Sequence, residues 1–176
     1  IYEMGELLFK WGWEYYDNNQ VKEEFEYIKT GVLHGEWYAY YKDGSHRGFR
    51  GYDNGLRDGT WIDWYTNGQK SFERKYELDQ PVDKWFYWYF FGDLMSEVQY
   101  ENNEIVRQEC FQSSFMYSDP AEELRDCSSI VDPRYINRGV FRIYSPSKVL
   151  IKETFINDDK LLAQFEYHDN NEPSTI

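Results

Sequence analysis

The sequence predicts an all-β fold: a single, extended and curved antiparallel meander of hairpin repeats with a period near 24 residues, interrupted by one short helical insertion. Three observations point there. The 176 residues include 7 Trp, 17 Tyr and 12 Phe, and aromatic side chains fit a pleated, half-buried surface better than a helix. The tryptophans at 37, 61 and 85 keep one step, as do Gly44, Gly68 and Gly92, and Tyr52, Tyr76 and Tyr100. The dipeptides Asp43-Gly44 and Asn67-Gly68 are strong hairpin signals, because both central positions of a type I′ turn need φ > 0.

The elements follow in order. A looser first copy runs from Trp13 through Tyr15-Tyr16 to Asn18-Asn19, then Tyr27 and Gly31. Asn19 stands where glycine is expected, and asparagine tolerates the left-handed conformation. The next three copies are Glu36 to Gly44, Thr60 to Gly68 and Lys84 to Gly92. Each predicts an outgoing strand and a turn, then a return strand over 46–52, 70–76 or 94–100. Lower turns such as Asp53-Asn54-Gly55 lead on through Arg57-Asp58-Gly59. The last of these copies keeps only Gly92, after Phe91, which predicts a different or distorted turn. Residues 1–107 are therefore the repeat array and 108–138 an insertion. In the insertion Asp119 is an N-cap, Pro120 sits at the first helical position and Glu122 follows, predicting a helix over 119–127. Residues 139–168 read as a degenerate hairpin of the same domain, with strands at 139–145, 149–156 and 161–167. The tail, 169–176, is polar and frayed.

Alternation along a strand divides the rings between two faces. Trp37, Tyr41, Trp61, Tyr65, Trp85 and Tyr89 share one. Tyr38, Tyr40, Ile62, Trp64, Phe86 and Trp88 share the other. A sheet with one wet face alternates apolar with polar, and this one does not. The expectation is that one face packs on itself or on a cap, leaving the other as a ribbon of rings available for contact.

The formal net charge is −13, from 32 acidic and 19 basic residues. Such a surface repels nucleic acid and anionic lipid and attracts a basic partner. No stretch approaches the ~20 apolar residues of a membrane span. The chain begins at Ile1 rather than Met, so a missing signal peptide leaves export open. Cys110 and Cys127 both fall in the insertion. As a disulfide they would staple it and imply a periplasmic or cell-surface location; as free thiols they suit the cytoplasm of an antitoxin.

Catalytic and metal motifs are not visible. His34, His46 and His168 lack ligand spacing, the cysteines form no Cys-x-x-Cys pair, and neither a nucleophile elbow nor a P-loop occurs. Asp63 is the one acid inside the best-kept strand. In an aromatic cleft its pKa would rise as a catalytic acid requires; pairing with a nearby Arg or Lys is the expected alternative. The expectation is a non-enzyme without cofactor or metal.

The run Gly59-Thr60-Trp61-Ile62-Asp63-Trp64-Tyr65-Thr66-Asn67-Gly68, followed by a Tyr and a Gly-containing turn, resembles the MORN-repeat variant. The likeness covers roughly 13–107 well and 139–160 poorly, and the cysteine-bearing insertion lies outside it. The resemblance implies a scaffold for protein contacts, linked in eukaryotic relatives to membranes. Among bacterial proteins it is similar to YwqK-type antitoxin or immunity proteins. The expected function is thus binding of a basic toxin domain. Tyr38, Tyr40, Trp64, Phe86 and Trp88 would be its anchors, and Asp53, Asp58 and Asp79 would steer the encounter. A structural scaffold subunit of a bacterial cell-envelope assembly and a glycan-binding module are the alternatives.

Overall fold

The protein is described by a computed structural model covering residues 2–3, 6–7, 9–28, 30–111, 138–145, 147–157 and 160–167. It is all-β, with no helix among the described residues. A small hairpin pairs β1 (Tyr2–Glu3) with β2 (Glu6–Leu7), and a 13-stranded, mostly antiparallel sheet holds the remaining strands. Two compact units divide the chain at residues 81 and 82. This boundary falls near the start of the strand at Gln80–Trp88, just ahead of the third regular copy, where repeat spacing alone predicts no break.

In the first unit β3 (Phe9–Tyr15), β4 (Val21–Ile28), β5 (Leu33–Tyr40) and β6 (His46–Asp53) pair in sequence. The two-residue β7 (Leu56–Arg57) hangs on β6, which also pairs with β8 (Gly59–Trp64), and β8 pairs with β9 (Lys70–Glu77). The return strands at 46–53 and 70–77 match the expected ones closely.

The turns at one end of these hairpins share one geometry. The amide of Tyr41 donates to the Ser45 carbonyl at 2.8 Å, and Gly44 donates back to Tyr41 at 2.9 Å. Tyr65 with Gln69 and Gly68 repeats the arrangement, and so does Tyr16 with Gln20 and Asn19. Only the last residue of each loop has positive φ: 62° at Asn19, 87° at Gly44, 81° at Gly68. These are three-residue loops, a turn closed by one left-handed residue, and not the two-residue type I′ turns predicted at Asp43-Gly44 and Asn67-Gly68. The side chain of the preceding residue explains the choice. Asp43 and Asn67 each accept the amide two residues on, at Ser45 and Gln69, an Asx contact that holds them in an ordinary right-handed conformation. The type I′ turns lie at the opposite end of the hairpins, where Asn54 (φ 48°) precedes Gly55 (φ 83°), and Leu78 (φ 46°) precedes Asp79 (φ 69°).

In the second unit β10 (Gln80–Trp88), β11 (Leu94–Glu101) and β12 (Glu104–Phe111) continue antiparallel. The turn at Tyr89, with Asp93 and Gly92, has the same two hydrogen bonds as its counterparts, both at 2.9 Å. The distortion expected from Phe91 does not occur, because Phe91 precedes the left-handed position and needs no positive φ. β12 then pairs in parallel with β13 (Arg138–Tyr144), which is followed by antiparallel β14 (Leu150–Asn157) and β15 (Lys160–Glu166). The uniform antiparallel meander is therefore corrected at this one junction. Parallel neighbours need a long crossover rather than a hairpin, and residues 112–137 supply the chain length. The helix expected at 119–127 lies outside the described residues.

The second unit has the denser core. Trp85, Tyr87, Val98, Tyr100, Ile105 and Cys110 are buried. The pairings Trp85 with Val98 and Tyr100 with Ile105 put them on one face, and the Trp85 and Tyr100 rings approach to 4.5 Å. Burying each such side chain contributes roughly 1.5–3 kcal/mol. In the first unit the buried apolar residues among those described are Ala39, Tyr76 and, at its end, Pro81.

Gly68→Val should destabilise the protein by about 1–2 kcal/mol in urea unfolding, since a branched side chain is strained at that φ. Asn19→Gly should change stability by only a few tenths of a kcal/mol.

Candidate functional site

One face of the first unit is a ladder of rings and guanidinium groups. Trp37 pairs with Arg50, and Trp61 with Arg74. The register of β6 on β8 sets Arg50 across from Trp61. The Arg50 guanidinium lies 5.2 Å from the Trp37 ring, 4.8 Å from Trp61 and 5.4 Å from Phe72. Its Nη2 reaches Asp63 at 2.6 Å, and its Nη1 donates to the Phe49 and Ile62 carbonyls. Arg57 lies 4.3 Å over Tyr76, and Arg74 4.1 Å over Phe72. Each such contact is worth about 0.5–2 kcal/mol as it loses water. Gly48 makes room for the cluster: a Cβ there would stand 2.8 Å from Asp63 Oδ1 and 3.1 Å from the Trp37 ring. Asp63 is thus the counter-ion of a stacked arginine, which answers the alternative of a catalytic acid. This face is half-buried, with the Arg50 charge partnered within the repeat.

Tyrosine hydroxyls tie one copy to the next. Tyr16 donates to the Tyr40 carbonyl at 2.8 Å and Tyr41 to that of Trp64 at 2.6 Å. In the second unit Tyr89 donates to Phe111 at 3.1 Å.

The acids expected to steer a partner serve the lower turns. Asp53 takes His34 at 3.2 Å and the Asn54 amide group at 2.8 Å. Asp58 accepts the Leu78 amide at 3.2 Å. Asp79 accepts both the amide and the Nε of Arg57 at 2.8 Å, and that guanidinium holds its carboxyl below the usual range. All three are tied to neighbouring backbone or a base, which weakens them as free steering charges.

The expected anchors separate into two groups. Tyr38, Tyr40 and Trp64 lie half-exposed on the other face of the first unit. Tyr38 packs on Phe49 at 5.2 Å, and His46 stands between Tyr40 and Trp64 at 5.3 and 5.9 Å. Phe86 and Trp88 stack on each other at 5.9 Å in the second unit. Beside them Lys84 pairs with Glu97 at 2.5 Å. Further along, Glu109, only 8% exposed, is held by Arg107, by the Tyr144 hydroxyl at 3.2 Å and by Arg142 at 3.7 Å, with Arg142 also on Glu153 at 2.7 Å. Removing one partner from so buried a charge costs more than the pair gains.

Around Tyr38 and Tyr40, Glu36 and Glu24 have no cation among the described residues. Glu36 accepts the Tyr38 hydroxyl at 2.7 Å and Glu24 the Tyr40 hydroxyl at 2.5 Å. Both phenols are pushed up to about 12, Tyr38 first by its bond to Glu36 and Tyr40 first by burial.

Residues 57–77 match the family model of the MORN repeat variant. They take in Arg57 of β7, β8, the Tyr65–Gly68 turn and β9, one complete hairpin with part of its lower connection. No curated protein matches the chain. MORN repeats are generally protein- or membrane-binding modules. Outside the matched segment, the Tyr41 and Tyr89 turns reproduce the geometry of the MORN-type turn at Tyr65.

Sequence reasoning missed two features. Arg50 and Arg74 keep the same step as Trp37 and Trp61, a signal passed over in favour of aromatic columns. Trp11, Trp13 and Tyr15 alternate along β3 and are 42, 50 and 58% exposed; their period-2 spacing around Gly12 was the available signal. Among the described residues no group of three or more His, Cys, Asp or Glu could hold a metal. Cys110 is buried and no described cysteine is free, while Cys127 lies outside the described residues.

Arg50→Ala should cost roughly 1–3 kcal/mol, by loss of stacking and by leaving Asp63 without its base. Asp63→Asn in the same background should recover part of that loss in a double-mutant cycle. Because folding favours the neutral phenols of Tyr38 and Tyr40, their contribution is complete below about pH 10. It is lost as pH rises through about 12. Phenolate absorbance should show this late titration, and Glu36→Gln should bring Tyr38 back towards the ordinary value.

Proposed function

We propose that the chain is a protein-binding repeat module, without catalytic activity, whose partner is a basic protein domain. Its most specific form is an immunity or antitoxin protein that covers the substrate channel of a basic toxin. The observation that carries the basic-partner reading is the half-exposed face of the first unit on which Tyr38, Tyr40 and Trp64 stand with Glu24, Glu26 and Glu36. Among the described residues none of these three carboxylates is paired with a cation. Other acids are neutralised: Glu14 by Lys22, Asp17 by Lys42, Glu23 by Arg47. A cationic partner would meet the uncompensated ones. Tyr and Trp are the residue types that most often anchor interfaces. The net charge of −13 would accelerate such an encounter, and the MORN match over residues 57–77 supports a binding role. The toxin-directed form draws only on the resemblance and the charge.

Basic toxin domains, nucleases and deaminases among them, are the partners to assay by calorimetry over a salt series. Affinity should fall steeply with added salt, and Tyr38→Ala with Trp64→Ala should weaken it at least tenfold, about 1.4 kcal/mol. Association indifferent to ionic strength would refute a basic partner.

A further inference from the structure

The outer edge of β3 is unpaired: β4 covers one side, and among the described residues no strand pairs with the other. Exposed edges are ordinarily blunted by proline, bulges or inward charges. β3 has seven residues, Phe9-Lys10-Trp11-Gly12-Trp13-Glu14-Tyr15, with no proline. The register shift near Glu14 falls on β4, where Lys22 is the extra residue, so β3 itself runs straight through.

The two faces of this edge differ. On one, Gly12 lies under the rings of Phe25 and Tyr27, so that a Cβ there would collide with Phe25. That face is packed at Gly12, with Lys10 and Glu14 exposed on either side of it. On the other, Trp11, Trp13 and Tyr15 project from alternate positions. Trp11 pairs across to Glu26, and Trp13 to Glu24, which pairs on to Tyr38. The exposed indoles therefore border Glu24 and Glu26, which pair with no cation among the described residues.

Resting on the reading of a basic protein partner, we infer that the outer edge of β3 receives an extended cationic segment of that partner as an added strand. Main-chain hydrogen bonds to the free edge supply the pairing. Side chains two residues apart on the added strand share a face at about 6.6–6.8 Å, the spacing of Trp11 and Trp13 themselves. Arg or Lys at alternate positions thus lies over the indoles, where a ring face attracts a cation, and reaches Glu24 and Glu26. A second copy of this chain is a poorer occupant, since it would set Glu24 and Glu26 against their own equivalents in a molecule already at −13.

The test uses the full chain with a synthetic octapeptide of alternating Arg and Val, and a control in which Glu replaces Arg. The Arg peptide should bind and the Glu peptide should not. Trp11→Ser with Trp13→Ser should weaken binding at least tenfold, and Glu24→Gln with Glu26→Gln, which keeps the shape, should weaken it and flatten its salt dependence. Amide exchange over residues 9–15 should slow on binding. Undiminished affinity in the tryptophan variant, or unchanged exchange in 9–15, overturns the inference. So does sedimentation showing a dimer that Trp13→Ser dissolves, which assigns the edge to a second copy. If the peptide instead loses affinity only through Tyr38→Ala and Trp64→Ala, the edge is wrong while the basic-partner reading stands. If neither the peptide nor any folded basic domain binds, both fail.

Discussion

A left-handed residue recurs at a fixed step along the array, and the rest of the repeat structure depends on it. At one end of the hairpins the position is held by Asn19, Gly44, Gly68 and Gly92; at the other by Gly31, Gly55, Asp79 and Asn103. The second series advances by 24 residues each time. A backbone that can reverse only at these points has strands of set length and set phase. Phase decides which ring faces which way, because a slip of one residue would move every side chain to the opposite face. Where glycine is absent, Asn or Asp takes the position, the residue types with the smallest cost there.

Given that phase, a sheet with rings on both faces must still find partners for its charges. The first unit does so by threading arginines between tryptophans, with Arg50 between Trp37 and Trp61 and tied to Asp63. Its lower turns are stitched by amide bonds from Gly55 to Leu33 and from Asp79 to Arg57, together with the carboxylates of Asp58 and Asp79. A repeat built this way is stabilised mainly by its neighbours rather than by a deep core of its own, as expected for stacked units. The exception is the face of the second unit around Trp85, Val98, Tyr100 and Ile105.

The same division separates structural acids from free ones. Asp53, Asp58, Asp63 and Asp79 are consumed within the repeat. Among the described residues Glu24 and Glu36 accept tyrosine hydroxyls and pair with no cation, and Glu26 borders the exposed indoles of β3. An excess of acid is visible in composition, but composition counts all of these alike. Only their partners reveal which carboxylates keep a field that another molecule can feel.

The sequence by itself determined what is local and periodic. The strands, the step between repeats, the two aromatic faces and the need for positive φ at Gly44, Gly68 and Asn19 all follow from alternation and turn chemistry within a few residues of each position. The tertiary structure alone decided what depends on residues far apart in the chain. It tied the Tyr41 hydroxyl to the Trp64 carbonyl of the next copy. It also set Arg50 between two tryptophans and made β13 a parallel neighbour of β12. Finally, it left β3 at an edge with Trp11 and Trp13 exposed, since hydrophobic periodicity shows that a strand has an apolar face but not whether another strand lies beside it.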